Sequence, residues 1–316
     1  MVAFIVKRLA AALVVVMVVS FVIFSCMYLA PGGPEQAILG PTSATPETLA
    51  RIRLQYGLDD PFLVQYWRFI TNAATFDFGR SYQTGETVAG GIWTRLGISL
   101  PLALGGFVLS VIVGLVGGVV SAHRQGRPID RILGAVSIGA ASIPAYASAI
   151  FLLFVFGVQL RWFPIGGDGE GVADRASRLV LPIIALGLVG AATILRRTRV
   201  AMIAALERDD VAFAQARGVP ARDILLRYTL RHSAVIILTS VSVILIFMLA
   251  GTAVVETAFG LNGVGAYLIT AINTKDLPSV LGIAVTITIL VVLVNLATDF
   301  LYAVIDPRIQ RGMAPQ

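Results

Sequence analysis

Six stretches of this sequence carry no charged residue: 9–34, 96–122, 132–160, 179–195, 233–255 and 277–298. A helix needs ~20 apolar residues to cross the ~30 Å of hydrocarbon in a bilayer, and each stretch meets or approaches that length. The shortest, 179–195, is flanked by Arg178 and Arg196, whose stems can reach to the headgroups and extend it at both ends. Lipid offers no partner to a peptide N–H or C=O, so a crossing segment must pair its backbone internally, as a helix does. The expected fold class is therefore an all-α integral membrane protein with six transmembrane helices. Composition agrees, with 57% hydrophobic and 13% charged residues among 316, too little charge for a soluble domain of that size.

Basic residues set the orientation. The net charge of +6 is almost wholly arginine, since Lys7 and Lys275 are the only lysines. In such a chain this reflects cytoplasmic loops rather than nucleic-acid binding. An inside N-terminus places Lys7 and Arg8, then Arg124, Arg127 and Arg131, then the Arg196–Arg231 series, then Arg308 and Arg311 on the cytoplasmic side. The short outer loops keep Arg161, Arg175, Arg178 and Lys275, accompanied by Asp168, Glu170, Asp174 and Asp276. Both termini are expected to be cytoplasmic. The first span reads as an uncut anchor: its apolar run exceeds a signal's ~7–15-residue core, and bulky Phe24 stands where cleavage would want a small residue.

The expected organisation is an N-terminal tail and first helix (1–30), an extracytoplasmic insertion (31–95), a five-helix core (96–306) and a C-terminal tail (307–316). The insertion opens with Ala-Pro-Gly-Gly-Pro (30–34), which stops the first helix. Thr45-Pro46-Glu47 reads as a helix start. A second amphipathic helix opens near Asp60-Pro61, with Leu63, Tyr66, Trp67 and Ile70 at helical spacing. Trp67 and Trp93 read as interfacial anchors, on either a membrane-packed cap or a platform for an external partner.

Chemistry of its own is hard to find. No glycine precedes either lysine, so there is no phosphate-binding loop of the Gly-Lys type. There is no Gly-x-Ser-x-Gly and no His-Glu-x-x-His, and Cys26 stands alone in an apolar run. His123 and His232 flank separate spans and read as interface residues. Asn295 and Asp299 are the polar candidates inside a span, with Asp299 near its cytoplasmic end, where pairing with an arginine fits better than a role in transport. Glycines 105, 106, 114, 117 and 118 in the second span permit close helix approach. Ser142-Ile143-Pro144 marks a kink in the third, and Pro182 falls in the first turns of the fourth.

One segment is larger than a return to the membrane needs: Arg196–His232, the cytoplasmic loop of the core. Asp209 and Asp210 suit a helix N-terminus. Val211, Ala214 and Arg217 line one face, with the small Ala212 and Ala216 elsewhere. Gly218 suits a left-handed C-terminal position, and Pro220 then starts another helix. A short helix of small residues can enter a groove on a partner; a solvated connector is the other reading of the residues.

Asp-Asp-Val-Ala-Phe-Ala-Gln-Ala-Arg-Gly-Val-Pro (209–220), followed by Leu-Leu-Arg-Tyr-Thr-Leu-Arg-His-Ser-Ala, resembles the cytoplasmic loop of ABC importer permease subunits. The stretches 56–66, 76–81, 256–265 and 301–309 extend the likeness along the chain, toward the dipeptide/oligopeptide/nickel group with a long first external loop. The resemblance implies a type I ABC importer permease fold in a bacterial cytoplasmic membrane. It implies a second similar permease, two ATP-binding subunits that hold ATP and Mg, and an extracytoplasmic solute-binding protein, with no cofactor on this chain. Residues 209–220 would be the coupling helix, with Asp209, Asp210, Val211, Ala214, Ala216, Arg217, Gly218 and Pro220 meeting the ATPase. Asp210 replaces a common aromatic, and Ala212 and Gln215 replace common arginines, so the docking face is less basic than usual. Di- or oligopeptides are the expected cargo, and nickel import or an ATP-independent carrier or channel are the rival readings.

Overall fold

The computed structural model describes residues 2–29, 47, 50–51, 53–54 and 57–305. The expected helix stop at 30–34, the start at Thr45-Pro46, and the tail 307–316 with Arg308 and Arg311 lie outside these. The helices are α1 (Val2–Leu29), α2 (Phe62–Ala73), α3 (Val88–His123), α4 (Pro128–Ser142) and α5 (Ala145–Gln159). They continue as α6 (Gly171–Leu206), α7 (Asp209–Ala216), α8 (Ala221–Phe259), α9 (Val264–Asn273) and α10 (Leu277–Ile305). α1, α3, α6, α8 and α10 are each long and apolar enough to cross a membrane.

The third expected span is not one helix. α4 and α5 meet at a bend of 100°, where the sequence suggested only a kink. Pro144 has no N–H to continue α4, and it forces Ile143 into extended backbone (φ −88°, ψ 123°). α6 departs in the other direction: it is 36 residues long, about 54 Å at 1.5 Å per residue, where the uncharged run covers only 179–195. Pro182 is consequently well inside it and fully buried, not in its first turns.

The chain forms two compact units. Among the described residues, one draws on those within 1–98 and 262–292, the other on those within 99–261 and 293–305. In the first, Phe24, Tyr66, Leu277 and Leu281 form a buried cluster against Phe62, Phe69 and Ile70 of α2. Tyr66 places its hydroxyl 2.9 Å from the Met17 carbonyl and 3.1 Å from Ser20 Oγ, fixing α2 on α1. The buried face of α2 is thus Phe62, Tyr66, Phe69 and Ile70. Of the four positions read at helical spacing, Tyr66 and Ile70 lie on that face, while Leu63 and Trp67 are exposed.

In the second unit α6 packs against α4, α5 and α8, and glycines draw α3 onto it. A Cβ on Gly114 would stand 2.6 Å from Ile194 Cβ and 3.0 Å from the Ala191 carbonyl, and one on Gly118 only 2.8 Å from the Leu195 carbonyl. The approach is reciprocal, because a Cβ on Gly187 of α6 would meet Leu109 of α3 at 2.8 Å. The Gly114–Gly118 spacing therefore serves packing.

Gly118→Val should overpack this contact and destabilise the chain by ~1–3 kcal/mol. Gly134→Ala on α4, with nothing within 4 Å of its added Cβ, should be neutral or stabilising by up to ~1 kcal/mol. Thermal unfolding in detergent compares the two directly.

Candidate functional site

The segment singled out in the sequence folds as a short helix hung between two long ones. α6 ends at Leu206, Arg208 takes extended backbone (ψ 146°), and α7 runs from Asp209 to Ala216. Its C-terminus closes with two bonds, Val219 N–H to the Ala214 carbonyl (3.2 Å) and Gly218 N–H to the Gln215 carbonyl (2.9 Å). That closure requires a left-handed residue, and Gly218 has φ +74°. A Cβ there would meet nothing within 4 Å, so glycine serves the backbone conformation and not close packing. Pro220 then precedes α8, which is π-helical over Ile224–Thr229 before becoming regular. Thr229 Oγ1 donates to the Ile224 carbonyl across this wide turn (3.1 Å).

The face expected from Val211, Ala214 and Arg217 is divided. Val211 is fully buried and Ala214 nearly so, both turned into this chain, while Arg217 is exposed with Asp209, Asp210, Ala212, Ala216, Gly218 and Pro220. The largest outward group is one the sequence reading passed over. Phe213 is 66% exposed, with the Arg217 guanidinium 5.9 Å from its ring centroid. Nothing local marked Phe213, because a phenylalanine among alanines reads equally well as core. The surface left for a partner is therefore an aromatic edge framed by small residues and one arginine.

Asp209 and Asp210 stand in the first turn of α7, as expected, though neither side chain caps it. Arg208 is the N-cap and no side chain bonds into the first turn. Asp210 instead accepts from Arg208 Nε at 3.0 Å and stands 2.7 Å from His232 Nε2 in α8. Some desolvation raises the Asp210 carboxyl, and the hydrogen bonds from Arg208 and His232 outweigh it, leaving the group below its ordinary 3.8. A depressed carboxylate contributes above its unfolded value and is lost only as pH falls through the lowered one. The Asp210 side of the α7–α8 contact is thus a carboxylate at neutral pH.

Three other carboxylates are buried more deeply than Asp299. Asp130 accepts from Ser121 Oγ (2.5 Å), the Gly126 N–H (2.9 Å), and Arg199 Nε and Nη2 (2.6 and 2.9 Å). Glu256 of α8 is fully buried and accepts from Ser99 Oγ of α3 at 2.6 Å. Asp276 accepts from Ser81 Oγ (2.5 Å), the Tyr82 N–H (3.0 Å) and Ser279 Oγ (2.7 Å), pinning the 76–87 turns to the start of α10. These partners stand up to 195 positions away, which is why the sequence did not reveal them. Asn295 is exposed on α10 and Asp299, one turn on, is half-buried.

The helical arrangement and the α7 turn belong to a known class. Residues 114–311 match the family described as "Binding-protein-dependent transport system inner membrane component", and residues 1–103 match its N-terminal component. The chain therefore belongs to this family of multi-pass bacterial membrane proteins and is an ABC importer permease, a non-catalytic membrane subunit. A "probable peptide ABC transporter permease protein" of Sinorhizobium fredii is 34% identical, over 97% of this chain and 99% of its own length. A glutathione transport system permease protein of Shigella flexneri is 32% identical over 97% and 98%. The inward-facing MetNI methionine ABC transporter shares the fold, with a TM-score of 0.54 at 18% identity over 68% of this chain and 96% of that one.

Replacing His232 by alanine or Asp210 by asparagine should loosen α7 alone. Hydrogen exchange of the 211–216 amides should quicken in both variants, while amides in the middle of α6 keep their wild-type rates.

Proposed function

We propose that this permease forms half of the translocation pathway of an ATP-driven importer of di- or oligopeptides. A second related permease completes the pathway. Two ATP-binding subunits hold the ATP and Mg, and an extracytoplasmic solute-binding protein delivers the cargo. Both termini and α7 lie on the cytoplasmic side, and this chain carries no cofactor. The cargo reading is supported by full-length relatives named for peptide and glutathione transport.

The observation that carries the mechanism is the way α7 is presented. Val211 and Ala214 anchor it inward, His232 holds its first turn, and Phe213 with Arg217 faces outward. An exposed aromatic on an anchored helix is the geometry of an interface hot spot, not of a solvated connector. Closure of the ATP-binding subunits moves α7, and α7 moves the spans between outward- and inward-facing states. Any such coupling requires α7 to be held differently in the two states.

Phe213→Ala should weaken retention of the ATP-binding subunit by about 2 kcal/mol, roughly thirtyfold, with membrane insertion unchanged; retention at the wild-type level would place the docking surface elsewhere. Gly218→Val forces a β-branched residue into left-handed backbone at ~1–3 kcal/mol, so peptide uptake should drop about tenfold. Uptake assays in cells expressing the whole transporter test this second variant, and normal uptake would contradict the coupling role of the turn.

A further inference from the structure

We propose that Asp130 and Arg199 form the link through which a displacement of α7 reaches the turn between α3 and α4, and that this link sets how closely transport follows ATP hydrolysis. The proposal rests on the reading of α7 as the docking helix.

α7 has little freedom of its own. Two residues, Glu207 and Arg208, join it to α6, Val211 and Ala214 are buried, and Asp210 is held by His232. A push on α7 is therefore a push on the end of α6. Two turns back from that end stands Arg199, gripping Asp130 through both Nε (2.6 Å) and Nη2 (2.9 Å). The same carboxylate takes Ser121 Oγ from the last turn of α3 and the Gly126 N–H from the following turn. One buried carboxylate, 6% exposed, thus gathers α3, α4 and α6.

The two-pronged geometry matters here. A single hydrogen bond allows the partners to swivel, whereas a planar guanidinium on both carboxylate oxygens fixes their relative orientation. The carboxylate half of the pair is buried, while the Arg199 side chain is 30% exposed. Beside it, Thr198 is fully buried against Gly118, whose added Cβ would stand 2.5 Å from Thr198 Cβ, so α3 and α6 have no slack at this level. α4 carries the motion from Asp130 to its far end at Ile143-Pro144, where the helix direction changes by 100°. Asp130 and Arg199 are positioning residues: they act through the helices they join.

The test uses the whole transporter in proteoliposomes, measuring peptide transported per ATP hydrolysed together with thermal unfolding. Arg199→Lys keeps the charge and loses the fork, and Asp130→Asn loses the charge and one of the two acceptor oxygens that Ser121 and Gly126 use. Both complexes should hydrolyse ATP while the transport-to-hydrolysis ratio falls at least about fivefold, the lower end of ordinary coupling energies. A purely structural clamp would lower unfolding temperature and both activities in proportion; an unchanged ratio in assembled variants overturns the proposal.

Should the variants fail to assemble, spin labels at Arg127 and Ala204, both exposed, in a Cys26→Ser chain give a second reading. The proposal expects their distance to be the same in nucleotide-free and ATP-trapped wild-type transporter. A distance that changes on trapping overturns it. Failure of wild-type chain to retain any ATP-binding subunit would instead contradict the docking reading.

Discussion

Hydrocarbon has no hydrogen bond to offer a peptide group, and the rest of this structure follows from that. It makes every span a helix, and it removes the hydrophobic drive that would press helices together in water. What remains is close contact between backbones. α3 and α6 achieve it with glycines on both sides, Gly106, Gly114, Gly117 and Gly118 on one and Gly187 and Gly190 on the other. α6 then becomes the stem of its unit, packed by α4, α5 and α8, and α7 hangs from its end.

Onto this seam the chain adds a few buried carboxylates, each tying together segments distant in sequence. Asp130 joins α3, α4 and α6, Glu256 joins α8 to α3, and Asp276 joins the 76–87 turns to α10. A buried charge left without partners is costly, so such sites fix one geometry and resist sliding. Where a helix must bend or end, the backbone signals are stronger still. Pro144 breaks the third span, and left-handed residues close α2 at Phe76, α7 at Gly218, α8 at Gly260 and α9 at Lys275.

Local chemistry was legible in the sequence, and distant pairing was not. Uncharged length marked every long span; Gly218 and Pro220 marked the end of α7 and the start of α8; Gly114 and Gly118 marked a close contact. The same reading misjudged the depth of the break at Pro144, because proline removes a bond but neighbouring helices decide the angle. Spacing picked out Tyr66 and Ile70 on α2 but passed over Phe62 and Phe69, which also turn to the core, since spacing allows more than one face on a helix rich in aromatics. Phe213 and Asp130 escaped it for one reason: each acquires its role from a surface or a partner that the fold assembles.

The central claim is that α7 meets an ATP-binding subunit with the face that carries Phe213. A photo-crosslinking residue placed at 213, in transporter assembled in native membranes, examines that contact without depending on activity. The account predicts adducts between position 213 and the ATP-binding subunit, and none from a control at Ile132, which is exposed on α4. An intact transporter in which position 213 labels only lipid or water would contradict it.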